Sequence, residues 1–136
     1  MITGINHITL SVHDMDESFQ FYADVLGFTR IQKNPKSAYL LAGALWIALV
    51  RDAQTRQVAS PEYTHIALTV SQDDFEPMRE RILRSGAAEW QKNWTEGDSF
   101  YFVDPNGHKL EIHVSDLETR IESGKEAWGD EVEWFV

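Results

Sequence analysis

The chain switches between two hydrophobic periods, and it does so twice in the same order. Residues 5–12 alternate strictly. Ile8, Leu10 and Val12 fall on one side and His7, Thr9 and Ser11 on the other, the pattern of a half-buried strand. The run MDESFQFYADVLGF then changes to helical spacing, with Phe19, Tyr22, Val25 and Leu26 on one face. Asp14 is placed to cap that helix and Gly27 to stop it. Short strands are expected near 29–32, 38–41 and 45–50, the last two joined by a turn at Gly43. Residues 51–62 are polar, contain Pro61 and read as a linker. The order then repeats. A strand is expected over 63–70 and a helix over 73–85, with Phe75, Met78 and Ile82 inward and Gly86 at its stop. Strands near 89–91, 100–103 and 109–114 follow, with a turn at Asp104-Pro105-Asn106-Gly107. Each half therefore reads β-α-β-β-β. Ser115 and Glu118 make a capping-box pattern for a last helix over 115–122. The acidic tail from Trp128 to Val136 carries Trp134 and Phe135 and is expected to dock on the body.

With 136 residues, the chain fits one α+β domain built from two halves that share a core. Module one spans about residues 1–52, module two about 63–115, and the final helix and tail 115–136. Cysteine is absent, which excludes disulfides, a thiolate nucleophile and a Cys-type zinc site. Any soft nucleophile must arrive from outside. A net charge of −10 argues against nucleic-acid and anionic-membrane partners, both of which want a basic face. No apolar run approaches the about 20 residues of a membrane span, and the N-terminus lacks the basic flank and apolar core of a signal peptide. The expected location is the cytoplasm.

Candidate chemistry comes from the repeat itself. HITLSV (7–12) and HIALTV (65–70) each open on a histidine, so His7 and His65 occupy matching positions. In DPNGHKLEIHV, Glu111 interrupts an apolar strand. It shares a face with Lys109 and His113, while Leu110, Ile112 and Val114 face the core. Two imidazoles and a carboxylate make a three-ligand set with open positions, the arrangement of a catalytic metal rather than a structural one. The set suits Mn, Fe, Co, Ni or Zn about equally. Trp46 stands at the first-half counterpart of Glu111 and cannot ligate. His13 and His108 lie near turns and are expected to be solvated; His113 is on the Glu111 face, where it is either an ordinary strand histidine or a support for a metal ligand.

These motifs and the duplication resemble the vicinal oxygen chelate superfamily over almost the whole chain. That resemblance implies paired β-α-β-β-β modules forming a cupped mixed sheet around a metal. Within it, EGDSFYFVDPNGHKLEIHV, GALWIALV and YTHIALTV are similar to the fosfomycin-resistance glutathione transferases. The resemblance implies a Mn(II)-dependent enzyme, assisted by K+, that opens the epoxide of fosfomycin with glutathione and gives antibiotic resistance. It implies a homodimer whose metal ligands, His7, His65 and Glu111, are shared across subunits. It places Thr9 near the epoxide oxygen and Tyr101, Arg120 and Thr95 on phosphonate-contacting positions. Tyr39 and Trp46 line the pocket, and Asn93, Gly97 and Ser99 belong to a potassium loop.

Departures from the family pattern are specific. A lysine usually follows the Trp90 position; here Gln91 stands there and Lys92 comes next, which strand alternation turns to the opposite face, so either the loop register brings Lys92 to that phosphonate contact or the contact is missing. Ala48 replaces a pocket cysteine, and a tryptophan usual before Tyr39 is missing. A fosfomycin epoxide hydrolase is the nearest alternative, but residues 38–45 lack the glutamate that branch uses. An extradiol dioxygenase with Fe(II) and a non-enzymatic drug-sequestering protein of the same fold are further alternatives.

Overall fold

Two four-stranded mixed sheets carry the duplicated pattern in the computed structural model, which describes residues 1–136. The first contains β1 (His7–Val12), β2 (Thr29–Lys33), β3 (Ser37–Ala42) and β4 (Leu45–Arg51), ordered β1-β4-β3-β2. The second contains β5 (Ile66–Thr69), β6 (Glu89–Gln91), β7 (Ser99–Val103) and β8 (Lys109–His113), ordered β5-β8-β7-β6. In each sheet the first strand pairs parallel with the last, and the other pairs are antiparallel. Helix α1 (Met15–Gln20) and helix α2 (Gln72–Arg84) are the crossovers, and α3 (Leu117–Ala127) follows the second sheet.

Register sorts every strand residue to one of two faces. His7 pairs with Trp46, and Thr9 with Ala48, which in turn opposes Tyr39. The alternate positions Leu10, Val12, Ala38, Leu40, Ile47 and Leu49 are buried. In the second sheet Ser99 opposes His113 and Tyr101 opposes Glu111. That leaves Phe100, Phe102, Leu110 and Ile112 for the interior, where Phe75 and Ile82 of α2 join them. One cluster of 16 buried residues draws on both halves, with the Phe21 and Phe102 rings 6.4 Å apart.

Four local expectations are corrected. The first helix is not uniform: after α1, Phe21–Val25 form a wider π turn. The extra residue in that turn buries Phe21 and Tyr22 side by side, which the 3.6-residue period does not. The strand expected over 63–70 shortens to Ile66–Thr69, because the Tyr63 carbonyl serves the His65 side chain instead of a ladder. His13 and His108 are not simply solvated. His108 donates to the Ser11 carbonyl at 2.8 Å and meets Arg56, while His13 meets the Arg56 carbonyl at 3.1 Å. Finally, α3 starts at Leu117 rather than 115 and runs to Ala127. Its cap is Asp116, whose carboxylate accepts from the Thr119 amide at 2.8 Å, so the Ser115–Glu118 capping box does not form.

The turn after β7 ties the halves together. Asp104 is buried and accepts from the amides of Asn106 and His108, both at 2.9 Å, and from the Tyr22 hydroxyl at 2.5 Å. Asn106 donates to the Ser18 hydroxyl at 2.8 Å and accepts from the His13 amide at 2.9 Å. The linker packs on this turn so closely that a side chain at Gly107 would place Cβ 2.3 Å from the Val58 carbonyl oxygen. The tail folds back on α3: Trp128 and Trp134 stack 5.8 Å apart, and Lys125 lies 5.6 Å over Trp134. No helix is long and apolar enough to cross a membrane.

Candidate metal centre

Glu111 sits on β8, the strand flanked by β5 and β7, on the face turned away from the core. Period-two alternation puts it beside Tyr101, Ser99 and His113 on that face. Glu111 is 6% exposed, and neighbours engage both carboxylate oxygens. Oε1 lies 3.0 Å from His65 Nε2, and Oε2 accepts from the Ser99 hydroxyl at 2.6 Å.

The His65 ring reports what this pair needs. Its Nδ1 lies 2.8 Å from the Tyr63 carbonyl, an acceptor only, so Nδ1 carries a proton. In the neutral ring Nε2 is then a lone pair aimed at a carboxylate oxygen. Two acceptors at this separation require a cation between or beside them, either a second proton or a metal. A carbonyl fixing the far nitrogen is also how metal-ligating histidines are commonly oriented. The donor set thus fits a divalent cation. Aromatic rings enclose it: His65 meets Tyr63 at 5.1 Å, Trp90 at 5.3 Å and Tyr101 at 5.9 Å. Trp90 is held by its indole donating to the Leu110 carbonyl at 3.1 Å, with Lys109 lying 4.7 Å over its ring.

Arg120 reaches the same face from the first turns of α3, whose start Asp116 fixes. Its Nε donates to Glu96 Oε2 at 3.2 Å, and its Nη2 lies 3.3 Å from His113 Nε2. The Ser115 hydroxyl beside it, with Arg120 and His113, holds the Glu96 carboxyl below the usual carboxylate range. The stretch between β6 and β7 closes on itself. Asn93 accepts from the Thr95 amide and hydroxyl at 3.1 and 2.9 Å, and donates to the Gly97 carbonyl at 2.9 Å.

The structure therefore gathers His65, Glu111, Ser99 and Tyr101 on one sheet face and brings Arg120 to it through His113. It does not bring His7 to them. The His7 ring lies 4.2 Å from that of Trp46, tilted against it, with Tyr39 edge-on to Trp46 at 5.0 Å and Thr9 further along β1 on the same, first-sheet face. No three His, Asp or Glu side chains of one chain converge on a common point. Lys92 is also apart: it pairs with Glu89 at 2.5 Å and is 88% exposed, whereas Gln91 donates to the Tyr63 hydroxyl at 3.1 Å. Sequence reasoning missed Ser99 as the donor to Glu111 and Glu96 as the partner of Arg120. Strand alternation carried a signal for the first, since it predicts a shared face. Nothing local carried the second.

Comparisons with known proteins place the chain in a family. A family model described as the Glyoxalase/Bleomycin resistance protein/Dioxygenase superfamily matches residues 4–112. The chain is 43% identical over 129 residues to glutathione transferase FosA of Serratia marcescens, covering 93% of this chain and 91% of that protein. It is 40% identical over 136 residues to metallothiol transferase FosB of Staphylococcus haemolyticus, covering 93% and 94%. Among solved structures, it superposes with a TM-score of 0.79 on the E126Q mutant of the fosfomycin resistance protein FosX from Listeria monocytogenes, complexed with Mn(II) and 1S,2S-dihydroxypropylphosphonic acid. Identity there is 29%, over 90% of this chain and 98% of that one.

Proposed function

The chain belongs to the glyoxalase/bleomycin resistance protein/dioxygenase superfamily, and on that footing we propose that it is a metal-dependent thiol transferase that opens the epoxide of fosfomycin with glutathione and so confers resistance. The observation that carries the reading is the 3.0 Å approach of His65 Nε2 to Glu111 Oε1, two acceptors aimed at one point on the open face of the second sheet. A second copy of the chain completes the site with its first-sheet face, which offers His7, Thr9, Tyr39 and Trp46. The assembly is a homodimer with ligands shared across subunits, and light scattering should give twice the chain mass.

Bound there, a divalent cation such as Mn(II) supplies Lewis-acid stabilisation of the oxygen that gains charge as the C–O bond opens. The chain's own residues do the rest. Arg120 has Nε and Nη2 engaged by Glu96 and His113, which leaves Nη1 to donate to a phosphonate, and Tyr101 and Thr95 are the further phosphonate candidates. Thr9 offers a hydroxyl to the leaving oxygen. Asn93, Gly97 and Ser99 offer oxygens to a potassium ion, which would lessen the repulsion a dianion meets on a chain of net charge −10. The absence of cysteine fits a thiol that arrives as a substrate. Holding thiol and epoxide in line supplies much of the rate.

The test is mass spectrometry of the products formed from fosfomycin and glutathione by protein loaded with Mn(II) and K+. A thiol adduct that disappears without metal supports the transferase. A water adduct supports the hydrolase reading, which the likeness to FosX favours. Gln91 gives a separate prediction. Its row runs through Tyr101 to Glu111, so a lysine there would add a cation beside the phosphonate site. Gln91→Lys is expected to lower KM for fosfomycin about tenfold, the scale of one charge-assisted hydrogen bond. An unchanged KM would mean that this position does not meet the substrate.

A further inference from the structure

We propose that His113 is a positioning residue: through the Ser99 hydroxyl it sets the Glu111 carboxylate for the metal, while Arg120 holds His113 itself in place. The inference rests on the metal reading above and extends it to a residue which that reading does not use. The proton assignments follow one another without choice. Glu111 Oε2 only accepts, so the single Ser99 proton goes to it across 2.6 Å. The Ser99 oxygen is then left as an acceptor toward His113 Nδ1, also at 2.6 Å, so Nδ1 carries the proton of the neutral ring. His113 Nε2 is therefore a lone pair, and it faces Arg120 Nη2, which only donates, at 3.3 Å.

The chain of bonds runs Arg120 to His113 to Ser99 to Glu111, one donor per acceptor. It leaves Glu111 Oε1 as the oxygen pointed at His65. Steric contact fixes the ring as well. A side chain at Gly97 would place Cβ 3.2 Å from His113 Cε1, so the backbone of the 93–99 loop packs directly on the imidazole edge. Both ring nitrogens are occupied and the side chain is 15% exposed, which suits a support rather than a proton-transfer group.

Mn(II) affinity of the metal-free full chain, read by electron paramagnetic resonance of the free ion, tests this without turnover. His113→Leu and Ser99→Ala are expected to weaken Mn(II) binding about 10- to 100-fold, the usual cost of losing a ligand's hydrogen-bond partner. His113→Asn places an amide donor where Nδ1 stood and should stay within a few-fold of the parent. His113→Gln reaches past Ser99 and should not rescue. Long-range 1H–15N correlation on the metal-free protein should show the Nδ1–H tautomer for His113. Parent-like affinity in a folded His113→Leu or in Ser99→Ala, with affinity lost in Glu111→Ala, overturns the inference and leaves the metal site standing. An Nε2–H tautomer also overturns it, as does failure of a folded His113→Asn to rescue. Parent-like affinity in Glu111→Ala removes the metal reading itself. If His113→Leu does not fold, Ser99→Ala, which removes one oxygen, decides.

Discussion

Glu111→Ala is expected to lose Mn(II) binding and thiol addition together, with turnover falling by about a thousandfold or more, because a metal's Lewis-acid contribution is worth several kcal/mol of transition-state stabilisation. The fold should survive. Removing the carboxylate deletes one acceptor from Ser99, a hydroxyl that can turn to other partners, and relieves His65 Nε2 of a facing lone pair. Thermal midpoints should therefore move by a few degrees only. Glu111→Gln separates charge from shape: it keeps an oxygen for Ser99 yet should bind metal almost as poorly as alanine. Isothermal titration with Mn(II), product mass spectrometry and a melting curve on the same preparations check all three statements. Full activity in Glu111→Ala would falsify the site.

Much of this site was legible because strands have a period of two. Alternation alone placed Glu111 and His113 on one face and sent Leu110 and Ile112 inward, and the register does the same. Alternation also put His7 and Thr9 on an open face. It names the face and not the chain that faces it, and within one copy His7 does not join His65 and Glu111 as a third ligand. The cap of α3 was read one residue early. Ser115 and Asp116 are both good cap residues, and Asp116 takes the role while the Ser115 hydroxyl is buried beside Glu96. The π turn had no sequence mark, since Phe21 looks like a polar-face intruder until Tyr22 beside it is seen to need burial too. Lys92 illustrates the converse. The family resemblance suggested a role for it at the site although alternation turns it to the opposite face, and an acidic neighbour three residues back holds it in solvent.

Asp104→Ala is expected to be strongly destabilising. The carboxylate is 5% exposed and satisfies three donors from separate parts of the fold: the Tyr22 hydroxyl of the first half and the amides of Asn106 and His108. Alanine strands all three, each at about 1–3 kcal/mol when buried, for a total of about 3–5 kcal/mol after relaxation. Domains of this size have only about 5–15 kcal/mol in hand, so the midpoint should drop by about 10–20 °C. Tyr22→Phe should cost less, because the two amide bonds remain, and it carries a signature in pH. Burial, then the Asp104 charge and its hydrogen bond, push the Tyr22 phenol well above its ordinary 10.0. The folded state therefore keeps a proton that the unfolded chain releases, and the stabilisation is complete below about pH 10 and drains away as pH rises beyond it. Urea melts from pH 8 to 11 should show the parent losing stability more steeply than Tyr22→Phe above pH 10. Parallel curves would mean that the hydroxyl is free to ionise in the folded state, and that the clasp between the halves rests on Asn106 and His108 alone. Because the clasp lies on the turn before β8 and not on the proposed metal face, Asp104→Ala held below its midpoint should bind Mn(II) as the parent does. That separates loss of the fold from loss of the site.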